Sequence, residues 1–268
     1  MSFDIVASPW DWFAQSSALS EPALCNICWW QGSSFLGVSH SEGAACPDCG
    51  SIARDRFLFL CFTSRMRSGP YRLLETSPRL GADYRFSMAR WFSYTASDFD
   101  ERAHRAEVKL DVQDMSLDDE SFDVILTAHV LEHVPDTGRA LNEFFRILKP
   151  GGRVFLQVPV LQGWTAPPAM PEFHGDNTAV EWRFGFDLTD RIRRHGFHAS
   201  LLCTSGFYRH VRHGALYWPD PAAPEVDVES FFSAANSRDL IPIANDELAR
   251  RLSFQPSYMF LTWECAKP

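Results

Sequence analysis

Apolar residues in the middle of the chain come in short runs separated by polar turns. Five of these runs have the length and the β-branched or aromatic content of strands, and the last two are apolar enough to be buried on both faces. They lie at residues 71–75, 91–95, 108–110, 122–127 and 153–158.

Between the last two runs, apolar residues recur at the spacing of a helix. Leu141, Phe144, Phe145 and Leu148 fall at i, i+3, i+4 and i+7, which places them on one face of a helix that Lys149-Pro-Gly-Gly152 should end. A second apolar helical stretch runs from about residue 52 to 66 and stops before Arg67-Ser-Gly-Pro70. The alternation of strands and helices predicts an α/β fold with a doubly wound, mostly parallel sheet.

Acidic residues stand at or just after the ends of three predicted strands: Glu75, Asp98 and Asp111. Ligands of doubly wound sheets bind at the carboxyl ends of the strands. A single loop carboxylate is more often merely solvated. The ordered series therefore carries the prediction of a binding site at this edge of the sheet.

The N-terminal part contains two closely spaced cysteine pairs, Cys25-x2-Cys28 and Cys46-x2-Cys49. Two such turns can complete a closed tetrahedral set of four thiolates, so the spacing predicts a structural zinc site. Two disulfides or free thiols are the alternative. The other cysteines lack this spacing and are expected to be small buried side chains: Cys61, Cys203 and Cys265.

Charge and composition narrow the class of protein. The net charge is −9, which gives no general attraction to a nucleic-acid backbone, so a nucleic-acid partner is not expected. A local basic patch is the exception to consider: Arg54, Arg56, Arg65 and Arg67. There is no apolar run of about 18 residues and no basic, apolar start typical of a signal peptide. We therefore expect a cytoplasmic protein with no membrane segment and reduced cysteines.

The segment Ser121-Phe-Asp-Val-Ile-Leu-Thr-Ala-His129-Val-Leu-Glu-His133-Val-Pro135, followed by Leu148-Lys-Pro-Gly-Gly152, resembles a known family. It is similar to the class I methyltransferases that use S-adenosylmethionine, in the large group typified by ubiquinone and menaquinone biosynthesis enzymes. A bacterial subgroup also has a preceding Cys-Pro-x-Cys-Gly-Ser, as at residues 46–51. The resemblance implies a Rossmann-like fold with seven strands, the last of them antiparallel and placed here at 257–264.

The resemblance also implies which residues contact S-adenosylmethionine. Asp98 suits the ribose hydroxyls, Asp111 with the backbone of Val112 suits the adenine edge, and Glu75 suits the methionine portion. The glycine-rich loop of the family corresponds here to Glu75-Thr-Ser77-Pro78-Arg79-Leu-Gly81. Ser77 and Gly81 remain predicted cofactor contacts, although Ser77 and Arg79 replace glycines and Pro78 lacks an amide donor.

Histidines are the candidates for chemistry at the acceptor. His129 follows the fourth strand, where related enzymes face the transferable methyl group, so it is predicted to contact the cofactor and to bind the acceptor or act as a base. His133 lies one helical turn later and is the second catalytic candidate. For both, a hydrogen-bonded structural histidine is the alternative. His174 and Arg183 are the predicted substrate-binding residues, and an ordinary surface arginine is the alternative for Arg183.

Two regions are predicted: a zinc-binding module with its connecting helix at 1–69, and a methyltransferase domain at 70–268 with insertions at about 161–185 and 205–256. The expected activity is methyl transfer from S-adenosylmethionine to a small molecule. The alternatives are an RNA or protein methyltransferase whose zinc module holds the macromolecule, and a binding protein that has lost cofactor use. The sequence leaves the oligomeric state open, a homodimer included.

Overall fold

The structure is a computed structural model that describes residues 22–38, 42–100, 106–174, 177–213, 228–254 and 261–268. Its strands are β1 Ala23–Leu24, β2 Gln31–Gly32, β3 Arg72–Thr76, β4 Ser93–Asp98, β5 Val108–Lys109, β6 Phe122–Ala128, β7 Leu148–Gln157, β8 Glu172–Phe173, β9 Ala179–Val180, β10 His198–Thr204, β11 Leu240–Ala244 and β12 Thr262–Ala266. Its helices are α1 Ala53–Arg65, α2 Ala82–Trp91, α3 Thr137–Ile147, α4 Leu188–Arg194, α5 Ser205–His213, α6 Val228–Ala234 and α7 Asp246–Arg251.

One large sheet organises the described part of the chain. Its strands follow the order β11-β10-β12-β7-β6-β3-β4-β5, and only β12 is antiparallel to its neighbours. The predicted doubly wound, mostly parallel sheet is thus confirmed, as is the antiparallel last strand. The expected count of seven strands is wrong, because β11, from the region predicted as an insertion, adds an eighth strand beside β10.

Three predicted boundaries shift. The strand expected at 91–95 begins at Ser93, because Trp91 still belongs to α2 and the amide of Phe92 donates to the carbonyl of Met88. The last strand, expected at 257–264, is observed from Thr262, and residues 255–260 lie outside the described ranges. Helix α3 ends at Ile147, one residue before the last apolar position of the predicted face, because Leu148 already pairs with Phe122 in the sheet.

The N-terminal region packs directly on the sheet. Helix α1 shares an apolar core with β6 and β7, and the ring of Phe62 lies 5.9 Å from that of Phe155 and 5.6 Å from that of Phe92. Each fully buried phenylalanine of this type contributes about 1.5–3 kcal/mol through removal of apolar surface from water. The cysteine-containing turns are therefore connected to the sheet through a continuous core. None of the described helices combines the length and hydrophobicity needed to cross a bilayer.

The strand order reverses between β3 and β6. From β3 the chain proceeds to β4 and β5 on one side, and it then returns to β6 and β7 on the other. At the carboxyl ends of the two central strands, the hydroxyls of Thr76 and Thr127 are hydrogen bonded at 2.8 Å. A crevice outside the strand ends at such a switch point is the usual ligand site of open α/β sheets.

Candidate functional site

The two cysteine turns have the same backbone hydrogen bonds. The amide of Cys25 donates to the carbonyl of Trp30, and the amide of Trp29 donates to the carbonyl of Cys25. In the second turn, the amide of Cys46 donates to the carbonyl of Ser51, and the amide of Gly50 donates to the carbonyl of Cys46. The fourth residue after the first cysteine is left-handed in each turn, with φ 68° at Trp29 and 71° at Gly50, where glycine adopts the conformation without a steric penalty. Each turn thus directs two thiols to the same point.

The four sulfur atoms form a compact cluster. The Sγ atoms of Cys25 and Cys49 are 3.7 Å apart, those of Cys28 and Cys46 are 3.5 Å apart, and all four lie within 4.8 Å of one another. Tetrahedral zinc–thiolate bonds of ~2.3 Å place sulfur atoms ~3.8 Å apart, so the cluster has the size of a four-cysteine zinc site. Burial raises the pKa of the Cys25 thiol, whereas hydrogen bonds from neighbouring thiols lower the pKa of Cys49 to about 7.

A cleft of about 830 Å3 opens at the carboxyl ends of β3, β4 and β6. It lies at the switch point of the sheet, where the topology favours a ligand. Most of the side chains predicted to bind cofactor or substrate line this cleft: Glu75, Ser77, Asp98, Asp111, Val112, His129, His133 and His174.

The altered glycine-rich loop keeps a glycine-like backbone. Ser77 has φ 50°, in the left-handed region, and its amide donates to the carbonyl of Ser97 at 2.7 Å. Arg79, which stands where the family has a glycine, forms an ion pair of 2.7 Å with Asp55 of helix α1. The third position, Gly81, is the N-cap of α2 and does not line the cleft. The hydrogen bond of the Ser77 amide and the ion pair of Arg79 therefore hold this loop in place of the contacts that glycines would allow.

Glu75 is held by two tyrosines that the sequence did not predict. Its Oε2 accepts hydrogen bonds from the hydroxyls of Tyr84 at 3.0 Å and Tyr94 at 2.8 Å. Burial raises the pKa of Glu75 to about 7, although both hydroxyls act in the opposite direction. This carboxyl group can therefore exchange a proton near neutral pH.

The next two carboxylates are fixed by the backbone. Asp98, which is 6% exposed, accepts from the amide of Asp100 at 2.9 Å, and Asp111 accepts from the amide of Gln113 at 2.8 Å. Such short local turns orient an aspartate without neutralising it. Glu75 lies near the end of β3, Asp98 is the last residue of β4, and Asp111 follows β5, so these three side chains make one wall of the cleft acidic.

His129 and His133 lie on either side of a buried carboxylate. His129 has φ 55°, and its Nδ1 lies 3.2 Å from Oε1 of Glu132. The Nε2 of His133 lies 3.9 Å from the same oxygen, while its Nδ1 is 2.7 Å from the carbonyl of Ala179. The rings of His133 and His174 meet edge to face at 4.6 Å. The three histidines thus form a continuous strip along the cleft.

Comparison with known proteins identifies the central segment. A family model described as a methyltransferase domain matches residues 81–156, from the start of α2 to the end of β7. The antiparallel last strand of the sheet agrees with the fold implied by the sequence resemblance. Residues 81–156 therefore match a methyltransferase domain.

Relatives of this methyltransferase domain match over part of their length. An uncharacterized methyltransferase of Mycobacterium sp. (strain KMS) is 34% identical over 37% of this chain and 37% of its own. The ubiquinone/menaquinone biosynthesis C-methyltransferase of Idiomarina loihiensis is 45% identical over 18% of this chain and 20% of its own. The chain therefore spans well under half the length of these curated relatives. A solved S-adenosylmethionine dependent methyltransferase from Mesorhizobium loti is 16% identical, with a TM-score of 0.47 over 81% of this chain and 99% of its own.

One predicted substrate residue lies outside the cleft of the methyltransferase domain. Arg183 does not line it and pairs instead with Glu172 at 2.8 Å, beside the β8–β9 hairpin. Other lining residues were missed because they belong to the zinc-module region, where nothing in the local sequence marks them as part of a cleft. They come from the first cysteine turn and from α1: Ile27, Arg54, Asp55, Leu58 and Phe59.

Proposed function

We propose that the chain transfers the methyl group of S-adenosylmethionine to a small-molecule acceptor. The observation that carries the proposal is the acidic wall formed by Glu75, Asp98 and Asp111 after successive strands of a methyltransferase domain. In this assignment Asp98 accepts from the ribose hydroxyls, Asp111 and the backbone of Val112 contact the adenine edge, and Glu75 with Ser77 lies beside the methionine portion.

The bound donor supplies an activated methyl group on a sulfonium. The protein then has to align the acceptor with that group and keep water away, and alignment alone can provide a large part of the rate enhancement. His129, at the end of β6, is assigned to the acceptor side of the cleft. The apolar side chains of Ile27, Leu58 and Phe59 form a wall suited to the body of a small organic molecule.

A macromolecular acceptor has less support. Of the four arginines considered for a basic patch, Arg67 is exposed and the other three are engaged within the fold: Arg56 is fully buried, Arg54 pairs with Glu42 at 3.3 Å, and Arg65 pairs with Glu264 at 2.7 Å. A patch built on these side chains would have to break internal contacts before it met phosphates. The loss of cofactor use also has less support, since Ser77 keeps the left-handed turn of the loop.

Calorimetry with S-adenosylhomocysteine tests the proposal. We expect wild-type protein to bind this product, and we expect Asp98→Ala to lose about 1.5–3 kcal/mol of binding free energy because the ribose hydroxyls lose a charged acceptor. Asp190→Ala is the matched control, because Asp190 lies on the exposed face of α4 in an ion pair with Arg193. Absence of binding by the wild type at millimolar ligand would refute the proposed function.

We also propose that Cys25, Cys28, Cys46 and Cys49 bind one structural zinc ion, on the strength of their sulfur geometry. Elemental analysis of protein purified without chelator should give one zinc per chain. A Cys46→Ser, Cys49→Ser double variant should lose the metal. A Cys203→Ala variant, which changes a buried cysteine outside the cluster, should retain it.

A further inference from the structure

Glu132 is a buried acid beside the cleft that the assignments above leave without a role. It lies in a short 3-10 turn, Leu131–His133, and is 1% exposed. Neither carboxylate oxygen has a well-aligned hydrogen-bond donor among the described residues. Its ion-pair partners in that part of the chain are the rings of His129 at 3.2 Å and His133 at 3.9 Å.

Burying a carboxylate without a partner costs free energy, so the groups around Glu132 indicate its role. Removing an ionised carboxylate from water costs several kcal/mol unless cationic or hydrogen-bonding groups replace the solvent. Burial opposes ionisation of Glu132, but the His129 ring, the backbone of the turn and the His133 ring together outweigh that effect and lower the pKa of the carboxyl group. The carboxylate of Glu132 therefore depends on the rings beside it.

The backbone fixes both partners. The amide of His129 donates to the carbonyl of Gln157 at 2.8 Å and its φ is 55°, so the ring projects from a defined point at the end of β6. The carbonyl of Glu132 accepts from the amides of Glu181 at 2.8 Å and Trp182 at 3.1 Å. The turn is thus tied to the segment that follows β9, and its carboxylate has little freedom to move away from His129.

The geometry also distinguishes the two nitrogens of His129. Nδ1 faces Glu132, and a carboxylate at this distance favours a proton on Nδ1. Nε2 is then the unprotonated nitrogen. Since His129 lines the cleft and its side chain is 19% exposed, this nitrogen is available to an acceptor molecule.

We propose that Glu132 is a positioning residue that holds His129 in the Nδ1-protonated form, with Nε2 ready to take a proton from the methyl acceptor. This inference rests on the proposed methyltransferase function. It favours acceptors whose reactive atom carries a proton at neutral pH, namely a hydroxyl or an ammonium group.

The electron pair that forms the new bond to the methyl carbon is a lone pair of the oxygen in a hydroxyl acceptor, or the pair of the N–H bond whose proton leaves in an ammonium acceptor. The carbon–sulfur bond breaks, and its electron pair stays on sulfur as a neutral thioether. The acceptor proton moves to Nε2 of His129, and the resulting imidazolium is paired with the carboxylate of Glu132. The arrangement follows the general logic of a base oriented by a buried third group.

Nitrogen NMR of the histidine rings tests this proposal without a substrate. Full-length zinc-loaded protein is labelled with 15N-histidine, and the His129 signals are assigned by their loss in His129→Gln. At pH 8 we expect a single tautomer with the proton on Nδ1. In Glu132→Met this preference should disappear, while affinity for S-adenosylhomocysteine changes by less than about threefold. Glu181→Gln, which removes a nearby acid, should leave the tautomer unchanged.

Three outcomes would overturn the inference. The first is a proton on Nε2 of His129 in the wild type. The second is an unchanged Nδ1 tautomer in Glu132→Met or, should that variant not fold, in the isosteric Glu132→Gln, for which we expect a mixture of tautomers. The third is a shift of the His129 and His133 signals when zinc is added beyond the single equivalent assigned to the cysteine cluster, which would indicate a metal site instead. Failure of the wild type to bind S-adenosylhomocysteine would refute the proposed function separately, since the tautomer is measured without ligand.

Discussion

At the scale of single residues, Glu75 couples the cleft to pH. Its pKa is raised by burial to about 7, above its unfolded value, so the folded protein binds this proton more tightly than the unfolded chain. The contribution of Glu75 to stability is therefore greatest at low pH and falls as the pH rises from the unfolded to the folded pKa.

Glu75→Gln should remove this dependence, because the amide keeps an oxygen for Tyr84 and Tyr94 but carries no charge. Between pH 5.5 and pH 8 we expect the variant to gain about 2 kcal/mol of unfolding free energy relative to wild type. Urea denaturation at both pH values measures the difference. For the control Glu143→Gln, the difference in unfolding free energy from wild type should be the same at both pH values. Arg146 lowers the pKa of Glu143, so that group is already ionised at both. A pH-independent difference for Glu75→Gln would contradict the assignment.

Site residues could be predicted from the sequence where one short segment contains the whole pattern. The cysteine spacing and the carboxylates at strand ends are local patterns, and the structure brings each set together. Tyr84 and Phe59 could not be found in this way, because their contacts depend on how α2 and α1 pack against the sheet. Tyr94 was missed because its contact with Glu75 depends on the pairing of β4 with β3. The left-handed backbone at Ser77 is equally hidden, since serine gives no signal for a positive φ.

At the scale of elements, helix α1 connects the cysteine turns to the end of α7 through Arg56. This arginine is fully buried, and its guanidinium donates to the carbonyls of Ser51, Ala44 and Leu252 while it stacks 3.9 Å over the ring of Phe35. One side chain therefore donates both to the region of the second cysteine turn and to Leu252, which lies 196 residues away in the sequence.

Arg56→Met should lower the free energy of unfolding by about 3–5 kcal/mol, because methionine fills part of the space but leaves buried carbonyls without donors. Arg54→Met, two residues earlier, removes only a partly exposed ion pair with Glu42 and should cost less than about 1 kcal/mol. Chemical denaturation of the zinc-loaded proteins compares the two. Equal losses would mean that Arg56 has no special structural role.

The elements themselves were predictable to different degrees. The i, i+3, i+4, i+7 pattern placed α3 correctly because its apolar face packs on the core. The predicted start of β4 was wrong because Trp91, an aromatic residue, suits either a helix end or a strand. Strand β11 was not predicted at all. Its central Pro242 argues against a strand, and an edge position is where a sheet tolerates proline.

At the scale of the whole molecule, the cysteine turns and the cleft form one structure. Ile27 lies between two of the zinc-binding candidates and also lines the cleft, and α1 contributes to the same wall. A change at the thiol cluster should therefore reach the ligand site through directly packed residues.

Removal of zinc should weaken S-adenosylhomocysteine binding at least about fivefold, a coupling of the size typical between linked sites. Calorimetry before chelation, after chelation and after zinc is restored gives the comparison. Linkage requires the converse, so saturating ligand should slow the loss of zinc to a chelator. If the metal-free protein folds cooperatively and binds with unchanged affinity, the two sites are independent.

The placement of β11 has a consequence for association. Strand β10 is largely apolar, and without β11 its outer edge would offer unpaired amides and carbonyls to another chain. Strand β11 covers that edge, and its own central residue, Pro242, has no amide to donate to a further strand. At the opposite edge of the sheet, β5 is only two residues long. The described sheet thus offers poor templates for strand addition at either edge, so these edges do not favour a homodimer formed through a shared sheet.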